Sequence, residues 1–235
     1  MQIIKNDLFD YPKRYIYQIK DGFKFSLDSI LLAEYIDNSK NAKILDMCTG
    51  NAPIPLIISS KTNNEIVGFE IQKDIAKLAT LSVEINNLSK QVTIINDDIN
   101  NINKYYKAES FDIISCNPPY FKDSNKNNAS KNDYLKIARH EITININDIF
   151  KLAFKFLKNN GILYMVHRPN RLDDIIYYAR INKVPVKEMQ LITTKKGKKP
   201  SIVLLKCVKN GKSNIKVQPI ISIEGIKTYQ NIFDN

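Results

Sequence analysis

The chain is poor in the residues on which several classes of protein depend. Of its 235 residues only three are cysteine and two are histidine. Cys48, Cys116 and Cys207 are far apart, odd in number and in no Cys-x-x-Cys pair. That pattern excludes a disulfide framework and a structural zinc site, and it fits a reduced, cytoplasmic protein. His140 and His167 stand in no metal-ligand spacing, so no metal is expected. No apolar run approaches the about 18 residues that a membrane span needs. The opening "MQIIKNDLFDYPKRY" has no apolar core of the signal-peptide kind, so neither membrane insertion nor export is expected. Glycine is also scarce, with seven residues, and this bears on the loops discussed below.

Positive charge, by contrast, is abundant. The net charge is +11 and the pI about 9.4. Such a balance suits a polyanionic partner such as nucleic acid. It is equally what an AT-rich coding sequence produces, because Lys, Asn and Ile are all frequent here.

Short β-branched runs alternate with helical patterns. "KILDM" (43–47), "EIVGFE" (65–70), "QVTIIN" (91–96), "FDIISC" (111–116) and "GILYMVH" (161–167) read as parallel strands buried on both faces. Helices are expected at 53–60, with Pro53 near the start, and at 72–88, with Ile75, Ala79, Val83 and Leu88 inward. Another is expected at 147–158, with Asn147 as N-cap and Gly161 just past its end, and another at 170–181. Ser26 is a candidate cap for an earlier helix that lays Ile30, Leu31 and Ala33 on the sheet. "KEMQLITT" and "SIVLLKCV" read as two sequential strands joined by "KKGKKP". Strand-helix-strand repetition implies a doubly wound α/β sheet with right-handed crossovers. No repeat or linker divides the chain. One domain over 1–235 is expected, with an extension (1–42), a core (43–209) and a tail (210–235).

Ligands of open α/β sheets bind beyond the carboxyl ends of the strands. The first strand ends in "DMCTGNAP", a small-residue turn leading to a helix start with free N–H groups. Gly50 stands alone there, with Cys48 and Ala52 where further glycines are usual. Glu70 ends the next strand, about 20 residues on, where a carboxylate can bind a ribose diol or simply favour a helix start. "NDDI" ends the third, and Asp97 or Asp98 can meet an adenine amino group or cap a turn. Together these ends describe a cleft for an adenosine-containing cofactor.

The fourth strand runs into Asn117-Pro118-Pro119-Tyr120. Two prolines end the ladder, since neither has an N–H to give. Each also biases the residue before it to an extended backbone. An amine conjugated to a ring is a poor nucleophile because its lone pair is delocalised. Acceptors that take both its hydrogens favour the geometry of attack and stabilise the developing charge. The Asn117 side chain and the Pro118 carbonyl can supply them. Tyr120 or Phe121 offers a face on which a planar base can stack. The tetrapeptide is the signature of amino-group methyltransferases that use S-adenosyl-L-methionine.

The sequence resembles, more narrowly, the bacterial tRNA adenine-N6 methyltransferases that modify adenosine 37 of valine tRNA. The resemblance rests on "GFKFSLDSILLA", "ILDMCTGNAPIPL", "GFEIQ", "NDDI", "SCNPPYF", "ARHE" (138–141), "VHRPNRL" (166–172) and the lysine-proline loop before the last strand. Cys48 and Ala52 are its departures from the family's turn. It implies a Rossmann-like class I methyltransferase with a seven-stranded, mostly parallel sheet and an antiparallel last strand. Its cofactor would be S-adenosyl-L-methionine, leaving S-adenosyl-L-homocysteine. Asp46, Gly50 and Asn51 would border the methionine, Glu70 the ribose and Asp98 with Ile99 the adenine, and Ile71 and Asn117 would also belong to the cofactor site. Phe25 and Asp28 would close the pocket. Arg139, His140, Arg168 and the loop lysines Lys195, Lys196, Lys198 and Lys199 would face RNA. Arg139 is equally suited to an ion pair, and His140 and His167 to a satisfied core position. Other readings stay open: another amino group as target, such as rRNA guanine N2 or a release-factor glutamine, or an RNA-binding module without catalysis.

Overall fold

The computed structural model describes residues 2–20, 25–37, 41–119, 144–229 and 232–233. An antiparallel hairpin comes first, β1 (Ile3–Asp7) with β2 (Tyr15–Ile19), followed by helix α1 (Leu27–Tyr35). The alternating part runs β3 (Lys43–Asp46), α2 (Pro53–Ile58), β4 (Glu65–Phe69), α3 (Lys73–Ile85) and β5 (Val92–Ile95). A 3-10 turn at Ile99–Lys104 leads to β6 (Phe111–Cys116). Then come α4 (Ile146–Phe156), β7 (Leu157–His167), α5 (Leu172–Ile181), β8 (Val186–Thr193) and β9 (Ile202–Val208). Two short strands, β10 (Lys216–Val217) and β11 (Ile221–Ser222), close the order.

The main sheet has nine strands in the order β10-β8-β9-β7-β6-β3-β4-β5, with β11 also paired to β8. β9 is antiparallel to both neighbours, and the other pairings are parallel. The expected seven-stranded arrangement is present as β3 to β9, and β10 and β11 extend its β8 edge. From β3 the chain winds first towards β5 and then back through β6 to β7. The switch point of strand order therefore lies between β3 and β6.

Alternate residues of the same strand enter two different cores. Ile44, Ile66, Ile113 and Tyr164 join one, beneath α1 and α2. Leu45, Val67, Ile114 and Leu163 join the other, beneath α4 and α5. This two-sided burial is why the strands read as continuous apolar runs. α1 is itself enclosed: every residue from Asp28 to Glu34 is buried. Ser26 stands at its N-cap with an extended backbone but makes no side-chain cap bond.

Two expectations are corrected around α4. Its cap is Asn145, whose side chain accepts the Asp148 N–H at 3.0 Å, and not Asn147, which accepts from Asn182. The side chain of an N-cap reaches the third residue of the helix, and only Asn145 has that register. Gly161 does not follow the helix end. α4 passes directly into β7, and Gly161 lies inside that strand, where an added Cβ would sit 2.9 Å from the Lys158 carbonyl and 3.1 Å from that of Asp112. Close backbone approach, not a cap, is what requires glycine there.

The chain ends fold back onto the body. Asn86 takes both backbone groups of Tyr15, accepting its N–H at 2.9 Å and donating to its carbonyl at 2.6 Å. A buried cluster ties Tyr11 to Glu34, which is also paired with Lys61 at 2.7 Å. Tyr229 and Phe233 pack against Phe9 and Tyr35, at ring separations of 5.8 and 5.3 Å. Asn86→Ala is expected to leave the Tyr15 groups without partners and to cost about 2–3 kcal/mol in denaturant unfolding. An unchanged midpoint would contradict this account of how the hairpin is held.

Candidate functional site

The turn after β3 is stitched to the two neighbouring strands. Met47 N–H donates to Ser115 O of β6 at 2.9 Å, and Thr49 N–H to Phe69 O of β4 at 2.8 Å. The Gly50 N–H donates to Glu70 Oε2 at 2.9 Å. Cys48, Gly50 and Ala52 have φ of 112°, 58° and 71°. The sequence therefore departs from glycine at two positions that do adopt the left-handed region, each at a cost of about 1–2 kcal/mol. Of the three, glycine is kept only at Gly50, where an added Cβ would meet nothing within 4 Å. Gly68 serves the same turn, since a Cβ there would lie 2.8 Å from Thr49 Oγ1.

Asp46 is fully buried, and Ser115 Oγ donates to its Oδ1 at 2.7 Å. Burial drives its pKa up to about 6, the Ser115 and Thr49 hydroxyls draw it partly back, and nearby Glu70 adds to the rise. Asp46 Oδ2, Thr49 Oγ1, Asn51 Oδ1 and Gln18 Nε2 are buried, and none makes a hydrogen bond of good geometry. Asn51 Nδ2 donates to Tyr17 O at 2.9 Å, linking the turn to β2. Glu70 is 6% exposed, and burial raises its pKa against the N–H groups of Gln72 and Gly50, which lower it.

An open cleft of about 430 Å³ is lined by Cys48, Glu70, Ile71, Asp98, Ile99 and Pro119, among others. The carboxyl ends of β3, β4, β5 and β6 thus meet at one place. Asp97 also borders it, but its carboxylate accepts from Asn101 and Tyr105, and these bonds hold its pKa low. Asp98 caps the 3-10 turn by accepting the Asn100 N–H at 2.9 Å. Asn96, unremarked in the sequence, donates to the Glu70 and Ile71 carbonyls at 2.8 and 3.1 Å.

Asn117 follows β6, and its Nδ2 donates to Ser29 Oγ of α1 at 2.9 Å, across 88 residues of sequence. Asp28 and Arg168, expected on different parts of the site, meet each other. Arg168 Nη2 lies 3.0 Å from Asp28 Oδ2, and its Nη1 donates to Ser201 O at 3.2 Å. Phe25 packs against the first core. Lys195, Lys196, Lys198 and Lys199 are exposed in the β8–β9 loop. Because β8 is parallel to β7, that loop lies on the same edge of the sheet as the cleft. It stands three strands from β6, about 14 Å. Tyr120, Phe121, Arg139 and His140 lie outside the described residues. Among those described, no group of three His, Cys, Asp or Glu can hold a metal, and no helix is long and apolar enough to cross a membrane.

A doubly wound sheet with its cleft at the switch point, and an antiparallel strand inserted near one edge, is the Rossmann-like class I methyltransferase fold. The chain belongs to the methyltransferase domain family, whose model matches residues 38–225. Among its relatives, the tRNA1(Val) (adenine(37)-N6)-methyltransferase of Phocaeicola vulgatus is 25% identical over 85% of this chain and 83% of that protein. The enzyme of the same name from Trichodesmium erythraeum is 27% identical over 80% and 81%. Among solved structures, a predicted O-methyltransferase from Agrobacterium tumefaciens superposes with a TM-score of 0.65 at 17% identity, covering 85% of this chain and 89% of that one. Pyrococcus horikoshii TYW2 in complex with MeSAdo gives 0.56 at 13% identity, covering 84% and 69%. These two likenesses concern the fold.

His167, at the end of β7, is 5% exposed, and its Nδ1 accepts the Arg168 N–H at 2.8 Å. Burial first, then the charges of Arg171 and Arg168, lower its pKa from 6.5 to about 4. The unfolded chain therefore binds a proton below pH 6.5 that the folded chain refuses until about pH 4. Stability from this residue is complete above pH 6.5 and is lost as pH falls through that window, by roughly 3 kcal/mol. Asp46, raised to about 6, acts oppositely over an overlapping range. The test is thus a difference: His167→Asn should lose less stability than the parent between pH 7 and 4. Parallel curves would contradict a neutral buried imidazole.

Proposed function

We propose that the chain uses S-adenosyl-L-methionine to methylate the exocyclic N6 of adenosine 37 in the anticodon loop of valine tRNA. The observation that carries this reading is the meeting of Pro119, from the Asn-Pro-Pro-Tyr motif, with Glu70, Ile71, Asp98 and Ile99 in one cleft. Relatives of that name at 23–27% identity support the choice of substrate.

The residues present fit such a cofactor. Asp46 and Asn51 keep orphaned acceptor atoms at the turn, and the space over Gly50 is open. Asp46, Gly50 and Asn51 would hold the methionine, Glu70 the ribose hydroxyls, and Asp98, Ile71 and Ile99 the adenine. When bound, the cofactor supplies a methyl group already activated by a sulfonium, so alignment is the main task left to the protein. Asn117 and the Pro118 carbonyl accept the hydrogens of the target amine. They relieve the delocalisation of its lone pair as the new bond forms and stabilise the charge that develops. The surplus proton leaves to water afterwards, and no strong base is required. Ser29 holds the amide nitrogen of Asn117, which presents the carbonyl end to the amine. A loop base is already single-stranded, so turning it towards Tyr120 or Phe121 costs less than opening a duplex. Arg139, His140, Arg168 and the lysines of the β8–β9 loop would meet phosphates, where such contacts add affinity independent of sequence. A cytoplasmic location goes with this substrate.

Two outcomes are expected. Asn117→Ala should reduce methyl transfer at least about a hundredfold, and Ser29→Ala about tenfold, with cofactor affinity kept in both. Full activity in Asn117→Ala would refute the acceptor role. Radiolabelled methyl transfer should reach unmodified valine tRNA and not the same tRNA with adenosine 37 replaced by guanosine. Equal labelling of both would sink the position assigned here.

A further inference from the structure

The described residues include six buried side-chain atoms without a hydrogen bond of good geometry, and four of them belong to β2, the end of β3 and the turn after it. They are Asp46 Oδ2, Asn51 Oδ1, Thr49 Oγ1 and Gln18 Nε2. A buried polar group left unpaired costs about 1–3 kcal/mol, so native proteins keep few of them. The Thr49 hydroxyl is within reach of Asp46, whose pKa it lowers, so what stays open in this neighbourhood is acceptor capacity on Asp46 and Asn51 and the donor end of the Gln18 amide, and these point to a ligand that completes them.

Their chemistry defines the ligand. Asp46 and Asn51 offer acceptors, which suit an ammonium with its three N–H groups. Gln18 offers an amide donor, which suits a carboxylate. The set is the complement of a free amino acid zwitterion. Gln18 itself is 2% exposed. It follows Tyr17, whose carbonyl accepts from Asn51 Nδ2, so its backbone adjoins the turn. Strand alternation puts it on the inward face with Ile16, which is fully buried in the first core. Asn6 Nδ2 donates to Gln18 Oε1 at 3.4 Å, which leaves the Nε2 end of the amide for a partner elsewhere.

We propose that Gln18 is a cofactor-binding residue. Its Nε2 donates to the α-carboxylate of the methionine part, while Asp46 and Asn51 receive the α-ammonium. The N-terminal hairpin thereby becomes one wall of the cofactor site. This rests on the cofactor reading above and adds a residue and an element to it. Order follows from it as well: a bound amino acid group bridges β2 to the turn, where Asn51 now makes the only direct hydrogen bond among the described residues.

The test compares three compounds by calorimetric titration of the full chain. S-adenosyl-L-homocysteine carries both charged groups. Its decarboxylated analogue keeps the amine alone, and 5′-methylthioadenosine has neither. Gln18→Leu is expected to weaken S-adenosyl-L-homocysteine about ten- to a hundredfold, the worth of a hydrogen bond to a charged group. It should leave the other two within about twofold. Asp46→Asn should weaken S-adenosyl-L-homocysteine and the decarboxylated analogue but not 5′-methylthioadenosine. Retained binding of 5′-methylthioadenosine also shows that each variant is folded. If Gln18→Leu weakens all three compounds equally, or none, the inference is overturned while the cofactor reading stands. If the parent protein binds none of the three, the cofactor reading itself falls.

Discussion

The hydrogen bond from the Gly50 N–H to Glu70 is the contact on which the cleft depends. It ties the turn after β3 to the end of β4, and the other oxygen of the same carboxylate accepts the Gln72 N–H at the start of α3. One side chain therefore sets the shape of the turn and the entry to the next helix. The turn needs that help, because left-handed backbone at Cys48 and Ala52 works against it. Burial raises the pKa of that carboxylate, and the N–H groups of Gln72 and Gly50 offset the cost of holding it dry.

The part of the chain that precedes the first core strand is built into this site. β2 meets the turn through Asn51, and α1 meets the amino-group motif through Ser29. The Asp28–Arg168 pair joins the start of α1 to the end of β7 and, through Ser201, to the start of β9. Asp28 is nearly inaccessible, and a buried carboxylate is tolerable only with such a partner. The edge of the sheet that carries the cleft is thus closed by elements that the bare doubly wound fold does not contain.

Much of this was legible in the sequence, for identifiable reasons. Strands buried on both faces announce themselves as continuous apolar runs, and β3 to β7 were read that way. Strand ends carry their own chemistry, so Glu70, Asp97 or Asp98, and Asn117 could be named from local context. The hairpin was not legible, because β1 is largely exposed and has no apolar alternation. Nor was the tail, whose short strands exist only by pairing with β8. Gly161 was misjudged because α4 and β7 abut without a loop, and Asn147 because a second asparagine, Asn145, has the register that caps α4. The pairings of Asn117 with Ser29 and of Arg168 with Asp28 span 88 and 140 residues, and no periodicity encodes such distances. Gln18 gave no sign at all, since its significance is a missing partner, which only three-dimensional burial reveals.

The central claim is that this cleft methylates an adenine amino group in RNA. Nucleoside analysis by mass spectrometry, after incubating the protein with S-adenosyl-L-methionine and total tRNA lacking the modification, tests it most directly. The account predicts N6-methyladenosine as the new nucleoside. The appearance of methylated guanosine or cytidine alone, or of no methylated nucleoside while a release-factor glutamine is methylated, would contradict it.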